Sequence, residues 1–188
     1  MSIVNDSTFE QYLVLARLVV GSTDRALLLS ASEAAMESLC KRKFSLQTYN
    51  ETIEIKPYEL QRYSVKTKQY PILRSSVILT DTSTLIANNN LIIEEDAGII
   101  KLRSDTAYFR TGRDAILLMY QGGYTTDTAP DDLVRLICEV GVMIKSQPGA
   151  AYQSEKIGDY NYKMSGDQIE NGLSPLNKGV LDKYRKLW

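Results

Sequence analysis

Met119-Tyr-Gln-Gly-Gly-Tyr124, followed closely by Thr128-Ala-Pro-Asp-Asp132, reads as the end of a β-strand, a turn and the start of a helix. Residues 115–120 are an apolar run of strand length. Gly122 and Gly123 give backbone that reaches positive φ and so ends the strand. Thr128 is placed to cap a helix, with Asp131 three residues on in a weak capping-box pattern. Pro130 suits an early helical position, where its missing N–H needs no partner. Gly122, Gly123 and Pro130 are therefore expected to be structural turn residues. The junction divides the chain into a strand-patterned part before it and a helical part after it.

Downstream, Leu133, Leu136, Ile137, Val140 and Ile144 recur at helical spacing. Gly141 inside this stripe lowers helix propensity and permits close approach of another helix. Gln147-Pro-Gly149 ends it. Residues 150–173 are polar and glycine-bearing, carry Tyr152, Tyr160 and Tyr162, and have no apolar period strong enough for a core element. A structureless stretch of this length in a compact domain is expected to be functional or ordered by a partner. Ser174 and Pro175 then open a final helix. Leu176, Val180, Tyr184 and Leu187 form its apolar stripe, with Lys178, Lys183, Arg185 and Lys186 opposite. A helix of about a dozen residues is marginal alone in water, so that stripe needs a surface to cover it. Tyr152, Tyr160, Tyr162, Leu176, Val180, Tyr184, Leu187 and the terminal Trp188 are the candidate partner-binding residues.

Upstream, residues 48–55 alternate with period two, a strand with one solvated face. Further strands are expected at 62–68, 75–80, 91–94, 98–102 and 115–120. Pro57 and Pro71 sit between runs, and Asn88-Asn-Asn90 and Asp96-Ala-Gly98 are turn chemistry. Short strands at regular spacing predict a small antiparallel sandwich or barrel. Ahead of them, Ser7-Thr-Phe-Glu10 resembles a capping box opening a short helix to about Val20. Gly21-Ser-Thr-Asp24 is a break and a fresh cap. A longer helix spans about 23–43, with Leu28, Ala31, Ala35 and Leu39 on one face. Its last turn carries Lys41, Arg42 and Lys43, which suit the negative end of the helix dipole. They read as a solvated helix end, or else as a contact for DNA or an acidic partner.

The fold class is α+β. A small helical bundle has an antiparallel β module, sandwich or barrel-like, inserted between its second and third helices, and a long loop and a C-terminal helix follow. The expected divisions are 1–45 for the first two helices, 46–124 for the β module, 125–149 for the third helix, 150–173 for a partner-binding loop and 174–188 for the last helix.

Composition narrows function further. The 188 residues are 44% hydrophobic with a net charge of −1, a folded chain with no overall basic field to draw it onto nucleic acid. The apolar runs are shorter than the roughly 20 residues that span a bilayer, and no basic-then-apolar leader opens the chain. Assembly in cytoplasm is the expectation. Cys40 and Cys138 fall inside helical patterns and are expected to be buried free thiols. The absence of histidine removes the commonest general base and metal ligand. Asp131 and Asp132 form a carboxylate pair, but a helix first turn favours acids in any protein. Glu94-Glu95-Asp96 lacks the ligand pattern of a calcium loop and reads as a charged hairpin turn. Neither a phosphate-cradling glycine loop nor a Cys-x-x-Cys pair occurs. The expectation is no enzyme, no cofactor, no metal and no membrane. Twelve tyrosines against three phenylalanines and one tryptophan favour interface use. Stacking on single strands would need interleaved basic residues, and these tyrosines are scattered.

The order of elements and several motifs resemble the head–tail adaptor (connector, head-completion) proteins of long-tailed phages and related gene-transfer particles. The matching pieces are Cys40-Lys-Arg-Lys-Phe44 closing the helix pair, Tyr70-Pro-Ile72 before a strand, and Asp96-Ala-Gly-Ile-Ile100 as a turn and strand. Met119-Tyr-Gln-Gly-Gly-Tyr124 with Ala129-Pro-Asp-Asp-Leu133, and Ser154-Glu-Lys-Ile-Gly-Asp-Tyr160, complete the set. Their order and spacing carry the likeness. The resemblance implies a non-enzymatic homo-oligomeric ring, usually of twelve subunits, in the virion neck. Such a ring docks under the portal protein and receives the stopper or tail-terminator, while genomic DNA passes through its centre without sequence-specific binding. It also implies that the final helix is covered by another subunit or the portal. Two alternatives remain: another neck or tail-completion protein, and a nucleic-acid-binding module using Lys41, Arg42, Lys43 and the basic final helix.

Overall fold

The computed structural model describes residues 2–56, 63–104, 108–146 and 166–185. The chain forms two compact units, a helical one from residues 1–44 and 125–188 and a β unit from residues 45–124.

The helical unit contains α1 (Asp6–Leu15), α2 (Ser22–Cys40), α3 (Asp131–Ser146), α4 (Gly166–Gly172) and α5 (Pro175–Tyr184). Asn5 caps α1 by accepting from the Ser7 amide, so the helix starts ahead of the expected cap. It also ends at Leu15, short of Val20. Arg17 turns left-handed at φ 58°, and the Leu18 amide bonds back to the Leu13 carbonyl. An arginine in that conformation carries none of the glycine signal that usually marks such an end. Lys41 closes α2 the same way, at φ 54°.

The buried face of α2 is Leu29, Ser32, Met36 and Cys40, one residue on from the expected Leu28, Ala31, Ala35 and Leu39. Both sets keep helical spacing, and an alanine- and serine-rich helix gives little contrast between them. Contact with α3 selects the face. Leu133, Leu136, Ile137, Val140 and Ile144 of α3 are buried as the stripe predicts, and a Cβ on Gly141 would lie 2.5 Å from the Phe9 ring and 2.9 Å from Ser32 Oγ. The missing side chain lets α1 and α2 press onto α3 there. Pro130 stands just before α3 rather than in its first turn, and its carbonyl accepts from the Val134 amide. Thr128 Oγ1 accepts from the Thr125 amide, so it caps the preceding turn and not the helix.

The β unit holds β1 (Gln47–Ile55), β2 (Ser64–Lys66), β3 (Ile78–Asp81), β4 (Thr84–Ile86), β5 (Leu91–Glu94), β6 (Ile99–Leu102) and β7 (Gly112–Gly122). They form two antiparallel sheets, ordered β1-β7-β3-β4 and β2-β6-β5. Ile55, Val65, Leu79, Leu91, Ile100, Phe109, Ile116 and Leu118 belong to its core. Within that core the buried Tyr120 hydroxyl donates to the Glu51 carboxylate and accepts from the Gln69 amide. Burial, then the bond to Glu51, pushes the Tyr120 pKa up.

Two local expectations change. Residues 74–76 form a 3-10 turn, so β3 starts later than expected. Gly123 takes φ 112° at the end of β7, but Gly122 is still strand. A Cβ there would sit 3.0 Å from the Tyr120 ring, so its role is close approach. No helix among the described residues is long and apolar enough to cross a membrane.

Candidate interaction surfaces

The final helix forms as its first residues dictate. Ser174 Oγ accepts from the Asn177 amide at 3.3 Å and Pro175 occupies the first turn. Its docked face differs from the expected stripe. Asn177, Leu181 and Tyr184 are buried, while Leu176 is 68% exposed and Val180 only half-buried. The helix rotates because α3 offers polar partners. Asp132 accepts from Tyr184 Oη at 2.5 Å and Lys183 Nζ at 2.7 Å, and Glu139 accepts from Asn177 Nδ2. Arg185 Nη2 reaches Glu170 of α4 at 2.7 Å. The Tyr184 ring meets Phe44 edge-on, at 6.3 Å between centroids. Tyr184 is thus committed within its own unit, and among the described residues of the expected stripe only Leu176 presents a large exposed apolar side chain.

The stretch 150–173, read as lacking any core element, contains α4 at its end, with Ile169 and Leu173 buried. One buried apolar residue on a helix of seven residues and another just past its end make too short a pattern to read. Tyr152, Tyr160, Tyr162, Leu187 and Trp188 lie outside the described residues.

The basic cluster divides, with Arg42 buried and Lys41 and Lys43 exposed. Arg42 is buried with its guanidinium over the Phe44 ring, and Lys43 Nζ donates to Glu37 at 2.6 Å. A solvated helix end therefore describes Lys41 and the exposed, ion-paired Lys43, but not Arg42. Asp132, Glu94 and Glu95 of the acidic groups are likewise engaged. Partial burial works against the charge of Asp132, but Lys183 and Tyr184 outweigh it and its pKa is lowered. Glu94 pairs with Lys101 and Glu95 with Arg74. Cys40 and Cys138 are buried, and burial pushes both thiols up to about 12. Among the described residues no three His, Cys, Asp or Glu side chains converge on a metal-sized site.

Two exposed apolar surfaces were not read from the sequence. One is the turn between α1 and α2, where Leu15 is 81% and Val19 96% exposed beside exposed Val14. The other is the outward face of the four-stranded sheet, where Ile78, Leu85, Leu117 and Met119 are all exposed. The second had a signal. Residues 115–120 are apolar at every position, the mark of a strand covered on both faces, and within this chain alternate side chains of that run stay uncovered.

No protein-family model matches the chain, and no curated protein matches it. Solved structures do. A chain in the neck of an empty gene transfer agent particle, computed with C6 symmetry, is similar with a TM-score of 0.59 at 12% identity, over 99% of this chain and 91% of that one. A chain in the virion of the native gene transfer agent gives 0.58 at 13% identity, again over 99% and 91%. A chain in the native particle's neck, computed with C12 symmetry, gives 0.56 at 10% identity over 97% and 88%. At such identities the likeness is one of fold, and it runs through nearly the whole of each chain. The fold neighbours thus come from the kind of phage-like particle to which the sequence motifs point.

Proposed function

We propose that this chain is a non-enzymatic structural subunit of the neck of a tailed, phage-like particle. It forms a homo-oligomeric ring, dodecameric by resemblance, below the portal protein. The ring extends the DNA channel and receives the stopper or tail-terminator, and it is assembled in the host cytoplasm. The observation that carries this reading is the fold likeness to neck and virion chains along 97–99% of the sequence. Charge is compatible with it. A subunit of net charge −1, with Arg42 buried and Lys43 ion-paired to Glu37, carries no overall basic field to hold phosphates, and DNA must slide through such a channel. Among the described residues Leu176 is the exposed member of the proposed partner-binding set, which also includes Tyr152, Tyr160, Tyr162, Leu187 and Trp188.

The test is removal of the chain from the producing system, with imaging of the particles. The expected product is DNA-filled heads without tails, and a label on the chain at the head–tail junction of complete particles. Empty heads, a label on the shell or tail tip, or normal tailing would overturn the reading. Strong, salt-sensitive DNA binding by the isolated subunit would replace it with a nucleic-acid-binding role.

A further inference from the structure

We propose that Asn171 is a site of spontaneous deamidation, opened by fraying of α4, and that the product loosens the joint between α4 and α5. The inference rests on the helical unit alone and does not need the neck reading.

Asn171-Gly172 is the only Asn-Gly step in the sequence. Glycine has no side chain to shield its own amide nitrogen or to restrict the backbone around it. That nitrogen can therefore attack the side-chain amide of the asparagine before it. The Gly172 nitrogen bonds to Asn171 Cγ, its proton passes to the departing amide, the Cγ–Nδ2 bond breaks and ammonia leaves. A cyclic imide remains, and water opens either of its carbonyls. One opening gives aspartate. The other gives isoaspartate, in which the main chain runs through the former side chain. Water is the only co-reactant, and nothing is oxidised or reduced.

The structure gives this step both access and a gate. Asn171 and Gly172 are exposed, and they are the last two residues of α4. Inside a helix an amide nitrogen is bonded to the carbonyl four residues back and is withheld from a side chain. α4 has only seven residues, too few to be stable alone in water. Its hold is tertiary. Ile169 and Leu173 are buried, the Leu173 amide bonds to the Ile169 and Glu170 carbonyls at 3.2 and 3.3 Å, and Glu170 accepts from Arg185 at 2.7 Å. A Cβ on Gly172 would meet the terminal methyl of Met143, so the glycine that makes the step reactive also lets α4 lie close to α3. Helix ends are where native structure opens most readily. Ring closure thus waits on opening of the last turn, and its rate reports how firmly α4 is held.

Either product places a new carboxylate beside Glu170 at the C-terminal end of α4. The helix dipole disfavours negative charge there, and the last turn of α4 carries no basic residue to offset it. Isoaspartate also lengthens the main chain by one atom just before buried Leu173 and the Ser174 cap of α5. Both changes act on the short connection that carries α4 into α5.

The test incubates the full chain at mildly alkaline pH, in buffer and in denaturing urea, and follows Asn171 by peptide mass spectrometry with isoaspartate detection. The expected result is that Asn171 reacts first among the asparagines, in buffer about tenfold or more slowly than in urea. Ile169→Ala should speed the reaction in buffer about tenfold, toward the urea rate, and Arg185→Ala about twofold to fivefold, while neither alters the rate in urea. Amide exchange should show α5 opening more readily in the aged chain than in the fresh one. Asn171→Gln, whose longer side chain closes a ring far more slowly, should keep its α5 protection through the same incubation. An Asn171 that persists in buffer while it reacts in urea overturns the site. Equal rates in buffer and urea, or rates in buffer that neither Ile169→Ala nor Arg185→Ala changes, overturn the gate. Unchanged α5 exchange in the converted chain overturns the loosening.

Discussion

α3 and α5 belong to the same helical unit and are held in it by different forces. Every buried residue of α3 is apolar or glycine: Leu133, Leu136, Ile137, Cys138, Val140, Gly141 and Ile144. α5 buries Asn177, Leu181 and Tyr184, and its polar attachments include Lys183 and Tyr184 to Asp132, Asn177 to Glu139 and Arg185 to Glu170. Burial of apolar area is non-directional and indifferent to pH. A helix held by a few hydrogen bonds and ion pairs around two apolar anchors responds to each of them. α3 is therefore the scaffold, and α5 is a docked part whose hold can be changed alone.

The largest effect should come from the scaffold. Gly141→Leu puts a branched side chain where even a Cβ would be 2.5 Å from the fully buried Phe9 ring and 2.9 Å from Ser32. Overpacking of this kind costs about 3 kcal/mol or more, and here three helices must part to relieve it. Thermal or urea unfolding of the helical unit should shift accordingly. An unchanged midpoint would mean that α1, α2 and α3 do not close over this residue as described.

Acid should act on α5 first. The folded-state pKa of Asp132 is lowered, so its contribution is complete above its ordinary value of 3.8 and is lost as pH falls through the folded value. Below that point Lys183 and Tyr184 lose a charged acceptor. The carboxylate is partly exposed, so the effect is modest, about 1 kcal/mol. Amide exchange should give α5 a smaller opening free energy at low pH while α3 keeps its own. Asp132→Asn should lower α5 protection by a similar amount at neutral pH and flatten its acid response. Equal acid loss in both helices would erase the distinction drawn between them.

The sequence displays strong contrasts and hides weak ones. The α3 stripe was legible because five large apolar residues recur among polar ones, and the Ser174-Pro175 start of α5 because capping chemistry is local. The α+β order, with strands between the second and third helices, followed from the switch between period two and helical spacing. The face of α2 was not legible, because alanine and serine surround both possible stripes. β4 was missed because the two-residue turn before it is Thr82-Ser83, both at positive φ, where Asn-Gly would have announced a hairpin. The α5 face was misread because apolar spacing was counted without Asn177 and Lys183, whose partners lie some forty to fifty residues earlier on α3. Leu15, Val19, Leu117 and Met119 read as core residues in any linear window. Only the fold reveals that they are exposed.

The smallest expected effect separates two leucines on one helix. The stripe read from the sequence includes Leu176, whereas the docked face uses Leu181, five residues later and fully buried. Leu181→Ala removes a buried side chain, and a loss of about 2 kcal/mol or more in the opening free energy of α5 is expected. Leu176→Ser removes an exposed one, and surface changes away from caps and pairs stay within about 0.5 kcal/mol. Leu176 sits between Ser174 and Asn177 but supplies neither partner of their cap bond, so the helix start survives the substitution. Amide exchange on the two variants should therefore show α5 loosened in the first and unchanged in the second. If Leu176→Ser loosens α5 as much as Leu181→Ala does, the helix docks through the sequence-read stripe and the rotation described here is wrong. If stability holds but the variant subunit no longer joins filled heads, Leu176 is doing what an exposed leucine on an otherwise docked helix is suited to do, which is to meet a partner.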